Sequence, residues 1–274
     1  TLFRSGTGKT PVAAWVCRLL ADAGERPALV ARGYGRDELL LHRRWNPDVP
    51  VEADPDRVAA ARVARAAGAT VAVLDDGFQH RRLARQVDLV LLAAEEPFPA
   101  HLLPRGPWRE GVGALGRAHV VVVSRRTADP ERARAVAARV RRAHPHLVVG
   151  RLALLPGGWS HLDGAPAEAP EPPVLVATAV ARPGAVRDQV AARTGRRAEL
   201  LAFADHHDFT PADVRRIRSR AGNRPVVVTE KDAVKLAPLA ELLGPSRVLL
   251  QDLRWEEGEA EVRSAILDPA GRGS

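Results

Sequence analysis

The stretch Gly6-Thr7-Gly8-Lys9-Thr10, followed by Pro11, constrains this chain more than any other. It matches the functional end of the phosphate-binding signature G-x-x-x-x-G-K-[ST]. The leading glycine of that signature falls at position 3, where Phe3 stands. Gly6 and Gly8 allow positive φ, so successive backbone N–H groups can turn inward on a phosphate. Thr7 lies between them, Lys9 can reach the β- and γ-phosphates, and the Thr10 hydroxyl can ligate Mg²⁺. Downstream, Val12, Trp15, Val16, Leu19 and Leu20 recur at the spacing of one helix face. An anion held by the loop would therefore lie at a helix N-terminus. A glycine turn before an ordinary helix is the plainer alternative, and an acidic strand end later in the chain weighs against it.

A chain of 274 residues has length for one large or two medium α/β domains. No run of 18 apolar residues suggests a spanning helix, and the start does not read as a signal peptide. Thr1 to Ser5 lack the character of the buried strand expected before a P-loop, so the natural N-terminus is expected to be missing or replaced. Cys17 is the only cysteine, which excludes a disulfide framework and a cysteine metal site and fits a reducing compartment. The net charge of +8 comes from arginine spread along the chain: of 41 basic residues only Lys9, Lys231 and Lys235 are lysine. Aromatics make up 4% and do not interleave with a basic patch, so no nucleic-acid partner is expected. An anionic substrate or membrane surface fits better. Where arginine is the default cation, a lysine suggests that a compact ammonium is wanted.

Strand and helix signals alternate. A short apolar strand at Ala28–Ala31 ends in Arg32-Gly33-Tyr34-Gly35-Arg36, a loop suited to a phosphorylated ligand or a solvated turn. Residues 37–50 are polar and partly helical. A helix is expected over Asp56–Ala67, and Thr70–Leu74 reads as a parallel strand buried on both faces. That strand ends in Asp75-Asp76-Gly77-Phe78-Gln79-His80, where a carboxylate can hold Mg²⁺ or cap a turn. Strands follow at Val87–Leu92 and His119–Ser124, and a helix runs from Asp129 or Pro130 to about Ala143. A β-hairpin or extended connector is expected over 147–162, and Ala165–Pro173 reads as a linker. A second series has strands near Val174–Thr178, Glu199–Phe203, Pro225–Thr229 and Val248–Leu250, with helices near Gly184–Arg193, Pro211–Ala221 and Asp232–Leu243. Alternation in both halves predicts an α/β fold with largely parallel sheets covered on both faces. Asp205-His206-His207-Asp208 is either a metal site, an acid–base group oriented by a carboxylate, or a polar loop. Thr229-Glu230-Lys231-Asp232 is a functional strand end or a salt-bridged cap.

Together these motifs resemble the tetraacyldisaccharide 4'-kinase family. The matching pieces are Gly6–Pro11, Arg32–Arg36, Asp75–Leu83, Leu102-Leu103-Pro104 with Gly106-Pro107 and Arg109-Glu110, Phe203 with Asp205-His206-His207, and Thr229–Asp232. The resemblance implies two α/β/α domains with largely parallel sheets, the first P-loop NTPase-like, joined by a β-strand linker. Here that gives a kinase domain over 1–146, a linker over 147–173 and a smaller domain over 174–274. It implies ATP and Mg²⁺, and transfer of the γ-phosphoryl group to the 4'-hydroxyl of a tetraacyldisaccharide 1-phosphate in lipid A synthesis. The implied setting is the cytoplasmic face of the inner membrane, with an acylated disaccharide phosphate lipid as partner and a monomer as the working unit.

By position, Asp37 and His206 match the family's catalytic pair, with Asp37 taking the proton. Asp76 joins them as a catalytic group. Thr10, Asp75, Asp76 and Glu110 are the implied metal set, and Arg32, Gly33, Tyr34, Gly35, Gln79, His80 and Arg109 the substrate set. Arg36 and Leu39 stand where the family has Gly and Pro beside the aspartate, and a segment usual before it is missing. The rivals are another P-loop small-molecule kinase or ATPase, and a phosphate- or nucleic-acid-binding remnant without activity.

Overall fold

The computed structural model of the protein describes residues 7–33, 35–99, 105 and 110–269. In chain order the first elements are α1 (Lys9–Asp22), β1 (Pro27–Ala31), α2 (Arg36–Trp45), β2 (Val51–Ala53), α3 (Arg57–Ala66), β3 (Val71–Leu74) and β4 (Leu89–Ala93). Next come β5 (Val120–Arg125), α4 (Pro130–Ala143), β6 (Val148–Ser160), β7 (Pro166–Ala167), β8 (Leu175–Thr178), α5 (Pro183–Thr194) and β9 (Glu199–Ala202). The last are α6 (Pro211–Ala221), β10 (Val226–Thr229), α7 (Glu230–Leu236), α8 (Ala240–Leu243), β11 (Ser246–Glu257) and α9 (Glu259–Leu267). Helix starts carry side-chain caps. Asp56 accepts from the N–H groups of Val58 and Ala59, Asp129 precedes Pro130 at the head of α4, and Thr210 forms a reciprocal capping box with Asp213.

The chain divides into two compact units. The first holds the described residues up to 33, then 45–155 and 253–269; the second holds 35–44 and 156–252. This differs from the consecutive division at 146 and 173 read from the sequence. Residues 35–44 join the second unit, where Arg44 Nη1 donates to the Leu162 carbonyl at 2.9 Å. The end of the chain joins the first unit, because Val262, Ala265 and Ile266 of α9 pack in the same core as Val12 and Leu19 of α1.

In the first unit, β2, β1 and β3 form a parallel sheet in that order, and β4, β5 and β6 form another parallel run. Val120 and Val122 of β5 face α1, while Val121 and Val123 face Val136 and Val140 of α4. This alternation makes β5 apolar on every residue of the run. The strand expected to be buried on both faces at 70–74 is not. Ala72 is exposed, and Val71, Val73 and Leu74 are only half-buried. A cavity of about 330 Å³, lined by β3, by Leu89 and Leu91 of β4 and by Val12 and Val16 of α1, leaves one side of that strand uncovered.

In the second unit, β11, β10, β8 and β9 lie in that order, with each pair parallel. Leu175, Ala177, Val226 and Val228 pack with Val214 and Ile217 of α6, and Val174, Val176 and Val227 pack with Val190 of α5. Two sequence readings change here and a third is decided. Of the two readings of 147–162, the extended connector holds and the hairpin does not, because Val148–Ser160 is one long strand. Gly157 serves close approach, since a Cβ there would overlap the Asp252 carboxylate. The single helix expected over Asp232–Leu243 is broken, because Pro238 enters a short 3₁₀ turn after Leu236. The strand expected at Val248–Leu250 extends to Glu257, and α9 follows it.

Candidate active site

Gly8 caps α1 with φ 91° and ψ 22°, a left-handed conformation open to glycine. A Cβ there would overlap Leu154 Cδ1. The Ser124 hydroxyl at the end of β5 donates to the Thr7 carbonyl at 2.7 Å and fixes the loop from below. Thr7 and Thr10 are both buried, and the Thr7 hydroxyl has no hydrogen-bond partner among the described residues. Such an atom at the head of a helix suits a polar ligand. Lys9 Nζ lies 3.2 Å from Asp76 Oδ1. Gly6 lies outside the described residues.

β3 delivers Asp75 and Asp76 to the same region, Asp75 buried and Asp76 at φ 57°. Asp76 and His206 are the two non-glycine residues with positive φ among the described residues. Both were singled out in the sequence for chemistry, and uncommon backbone of this kind gathers at functional positions. The loop behind them is anchored. Phe78 is buried in the core beneath Arg117, and Arg85 donates to the His80 and Leu83 carbonyls while pairing with Asp88 at 2.6 Å. Gln79 and His80 are half-buried, and His80 Nε2 has no hydrogen-bond partner among the described residues. Glu110, expected beside the aspartates as a metal ligand, pairs with Arg117 at 2.6 Å. Among the described residues no three His, Cys, Asp or Glu side chains converge on a metal position.

Arg32 and Gly33 are exposed after β1. Gly33 and Gly35 both have positive φ. Tyr34 and Arg109 lie outside the described residues. Arg57 was passed over as a functional group in the sequence because an arginine at a helix start reads as a solvated charge. It is in fact buried. Burial pushes its guanidinium below the ordinary arginine value and nearby Arg32 adds to this, while Asp76, Asp75 and Asp54 act the other way.

In the second unit α2 places Asp37 in its first turn, 2% exposed. His206 Nδ1 lies 3.1 Å from both Asp37 carboxylate oxygens. The imidazole side chain is 36% exposed against 3% for the carboxylate, so the histidine is the open end of the pair. Its Nε2 lies 3.9 Å from Asp205. His207 takes a different role. Its Nε2 sits 3.0 Å from Asp213, the capping-box partner of Thr210 at the head of α6, and its ring stacks on Phe203. The two histidines therefore differ in setting, His206 pairing with Asp37 and His207 with Asp213. Thr229 and Asp232 form a reciprocal capping box at the head of α7, so the cap reading of that strand end holds for these two.

The family model described as tetraacyldisaccharide-1-P 4'-kinase matches residues 2–39 and 35–269. The chain belongs to the tetraacyldisaccharide 4'-kinase family. Its membership makes it a phosphotransferase. A tetraacyldisaccharide 4'-kinase of Anaeromyxobacter dehalogenans is 40% identical over 302 residues, spanning 97% of this chain and 78% of the relative. One of Syntrophus aciditrophicus is 32% identical over 288 residues, spanning 91% and 77%. The crystal structure of the "apo" form of LpxK from Aquifex aeolicus in complex with ATP superposes with a TM-score of 0.72 at 23% identity, covering 98% of this chain and 86% of that one, and shows the shared fold. No helix of the described residues is long and apolar enough to cross a membrane.

Proposed function

We propose that this chain transfers the γ-phosphoryl group of ATP to the 4'-hydroxyl of a tetraacyldisaccharide 1-phosphate, the lipid A 4'-kinase step. The observation that carries the assignment is the buried Asp37 with both oxygens 3.1 Å from His206 Nδ1, two residues 169 apart in sequence. Phosphoryl transfer needs positioning and charge neutralisation more than covalent help. The first unit, a P-loop NTPase-like domain, holds the nucleotide. Backbone N–H groups of Gly6, Thr7 and Gly8 and the Lys9 ammonium take the phosphates.

Thr10, Asp75 and Asp76 fit Mg²⁺. That ion is usually held by one or two carboxylates plus substrate phosphates and not by an all-protein cage, which suits a site where no three acids converge. When bound, Mg²⁺ neutralises charge on the phosphate oxygens. Glu110 assists from outside that set. Arg32, Gly33, Tyr34, Gly35, Gln79, His80 and Arg109, joined by Arg57, meet the anionic substrate.

The Asp37–His206 pair accepts the hydroxyl proton. The family resemblance implies that Asp37 takes that proton. Exposure favours His206 as the contacting group, with Asp37 fixing the imidazole and balancing its charge, as a carboxylate behind a histidine does. An acylated substrate fits work at the cytoplasmic face of the inner membrane, and the proposed working unit is a monomer.

The test is phosphate transfer by Asp37→Asn and His206→Ala. Each is expected to lower kcat by roughly 10²–10⁴-fold, the contribution of general acid–base catalysis, with the KM for ATP little changed. Wild-type kcat in both variants would refute the assignment.

A further inference from the structure

The Asp37–His206 geometry leaves one charged neighbour without a task. Lys231 Nζ, in the first turn of α7, lies 3.8 Å from Asp37 Oδ2 and 3.3 Å from Glu38 Oε1. We propose that Lys231 is a positioning residue of the acid–base pair: its ammonium balances the charge of the buried Asp37 carboxylate and holds that carboxylate in place against His206. This rests on the Asp37–His206 reading.

The argument begins with burial. A carboxylate 3% exposed has lost most of its water, and a counter-charge beside it offsets that cost. His206 cannot supply a constant one, because its own charge changes as it gains and loses the proton. A lysine ammonium can. The groups facing Asp37 are His206, with Asp205 behind it, from the segment after β9; Lys231 from α7; and Glu38 on its own helix. Two acidic neighbours push the pair toward protonation, and Lys231 opposes both.

The base of the lysine is rigid. Asp232, next in sequence, is fully buried and accepts from the Thr178 hydroxyl at 2.6 Å and the Ala179 N–H at 2.9 Å. Lys235, one turn on, donates to the His207 carbonyl at 2.8 Å. The helix carrying Lys231 is thus tied to the segment that carries His206 and to the end of β8, whose Ala179 carbonyl accepts from the His206 N–H. Residue choice agrees. Two of the three lysines among 41 basic residues lie in this helix, in a chain where arginine is the default cation.

The experiment measures kcat, KM and the pH dependence of kcat for transfer from ATP to tetraacyldisaccharide 1-phosphate in detergent. Lys231→Met, Lys231→Arg and Glu38→Gln are compared with wild type. Removing the cation makes the protonated pair easier to form. Lys231→Met should therefore move the acidic limb of the profile up by about one pH unit, the low end for an opposite charge within 4–6 Å because the ammonium is partly exposed. Its kcat at neutral pH should fall by roughly tenfold with the KM for ATP held, since the interaction serves the chemical step. Lys231→Arg should return the limb toward wild type. Glu38→Gln removes a negative charge and should move the limb down.

Opposite shifts from the two charge removals are not produced by loss of packing. An unmoved limb in Lys231→Met, or an arginine variant indistinguishable from the methionine one, overturns the proposal. Should Lys231→Met fail to fold, an unmoved limb in Glu38→Gln overturns it alone. Asp37→Asn and His206→Ala run alongside. Wild-type kcat in those two means the pair itself was misassigned. Loss in those two with an unmoved limb in Lys231→Met means that only the lysine was.

Discussion

Replacing Asp232 with alanine should loosen the second unit at the point where it holds His206. Asp232 is 0% exposed. Its carboxylate accepts from the Thr178 hydroxyl at 2.6 Å, the Ala179 N–H at 2.9 Å and the Thr229 hydroxyl at 2.7 Å. Each buried donor left without an acceptor costs about 1–3 kcal/mol, and loss of a helix cap costs about 1 kcal/mol. The two hydroxyls can rotate toward other acceptors, whereas the Ala179 N–H cannot, so the expected loss is about 2–4 kcal/mol. Asparagine keeps the shape and an acceptor oxygen and should cost about 1–2 kcal/mol.

Hydrogen exchange on peptides covering β8 reads this directly. At about 1.4 kcal/mol per decade, Asp232→Ala should lower protection by roughly one and a half to three decades. The His206 N–H donates to the Ala179 carbonyl at 3.2 Å, so kcat should fall as well, although Asp232 makes no recorded contact with Asp37 or His206. Protection within a few-fold of wild type would refute this account of what fixes the histidine.

Other expected outcomes follow from the same structure. Gly8→Ala should cost roughly 2–4 kcal/mol, from a left-handed non-glycine residue and an overlap with Leu154, and should abolish ATP binding; a wild-type melting temperature would contradict this. Burial pushes the Cys17 thiol up to about 12, so it stays neutral through pH 8–9 and should resist alkylation until the protein is unfolded, a result read by mass spectrometry. The Thr210 hydroxyl bond holds Asp213 down to about 2. Its contribution to stability is therefore complete above about pH 4 and is lost as pH falls from there toward 2, because the unfolded chain takes up the proton first. Thr210→Ala should cost about 1 kcal/mol near neutrality and flatten that acid dependence in denaturation curves.

Local features were legible in the sequence and distant ones were not. The glycine at position 8 and the helix behind it follow from φ freedom and a 3.6-residue period, both carried by adjacent residues. So do the capped starts of α4 and α6. The pairing of Asp37 with His206 is carried by no local pattern; only the family resemblance indicated it. Arg57 escaped notice because burial of a helix-start arginine depends on what packs over it.

The chain end was missed for a similar reason. The strand signal stops at Leu250, yet Glu256 pairs with Arg125 and Arg151 and Glu257 with Arg141 and Arg151, which lets the strand run through them. The half-exposed strand at 71–74 shows the converse. Its apolar run fits a two-sided burial that the elements beside it do not provide.

Transfer of labelled phosphate from ATP·Mg²⁺ to tetraacyldisaccharide 1-phosphate in detergent, with Lys9→Ala beside the wild type, tests the central claim most directly. The account predicts a bis-phosphorylated product carrying the label at the 4'-position with wild type and none with Lys9→Ala. No labelled product from a folded wild-type protein that still binds the nucleotide, or equal product from both proteins, would contradict it.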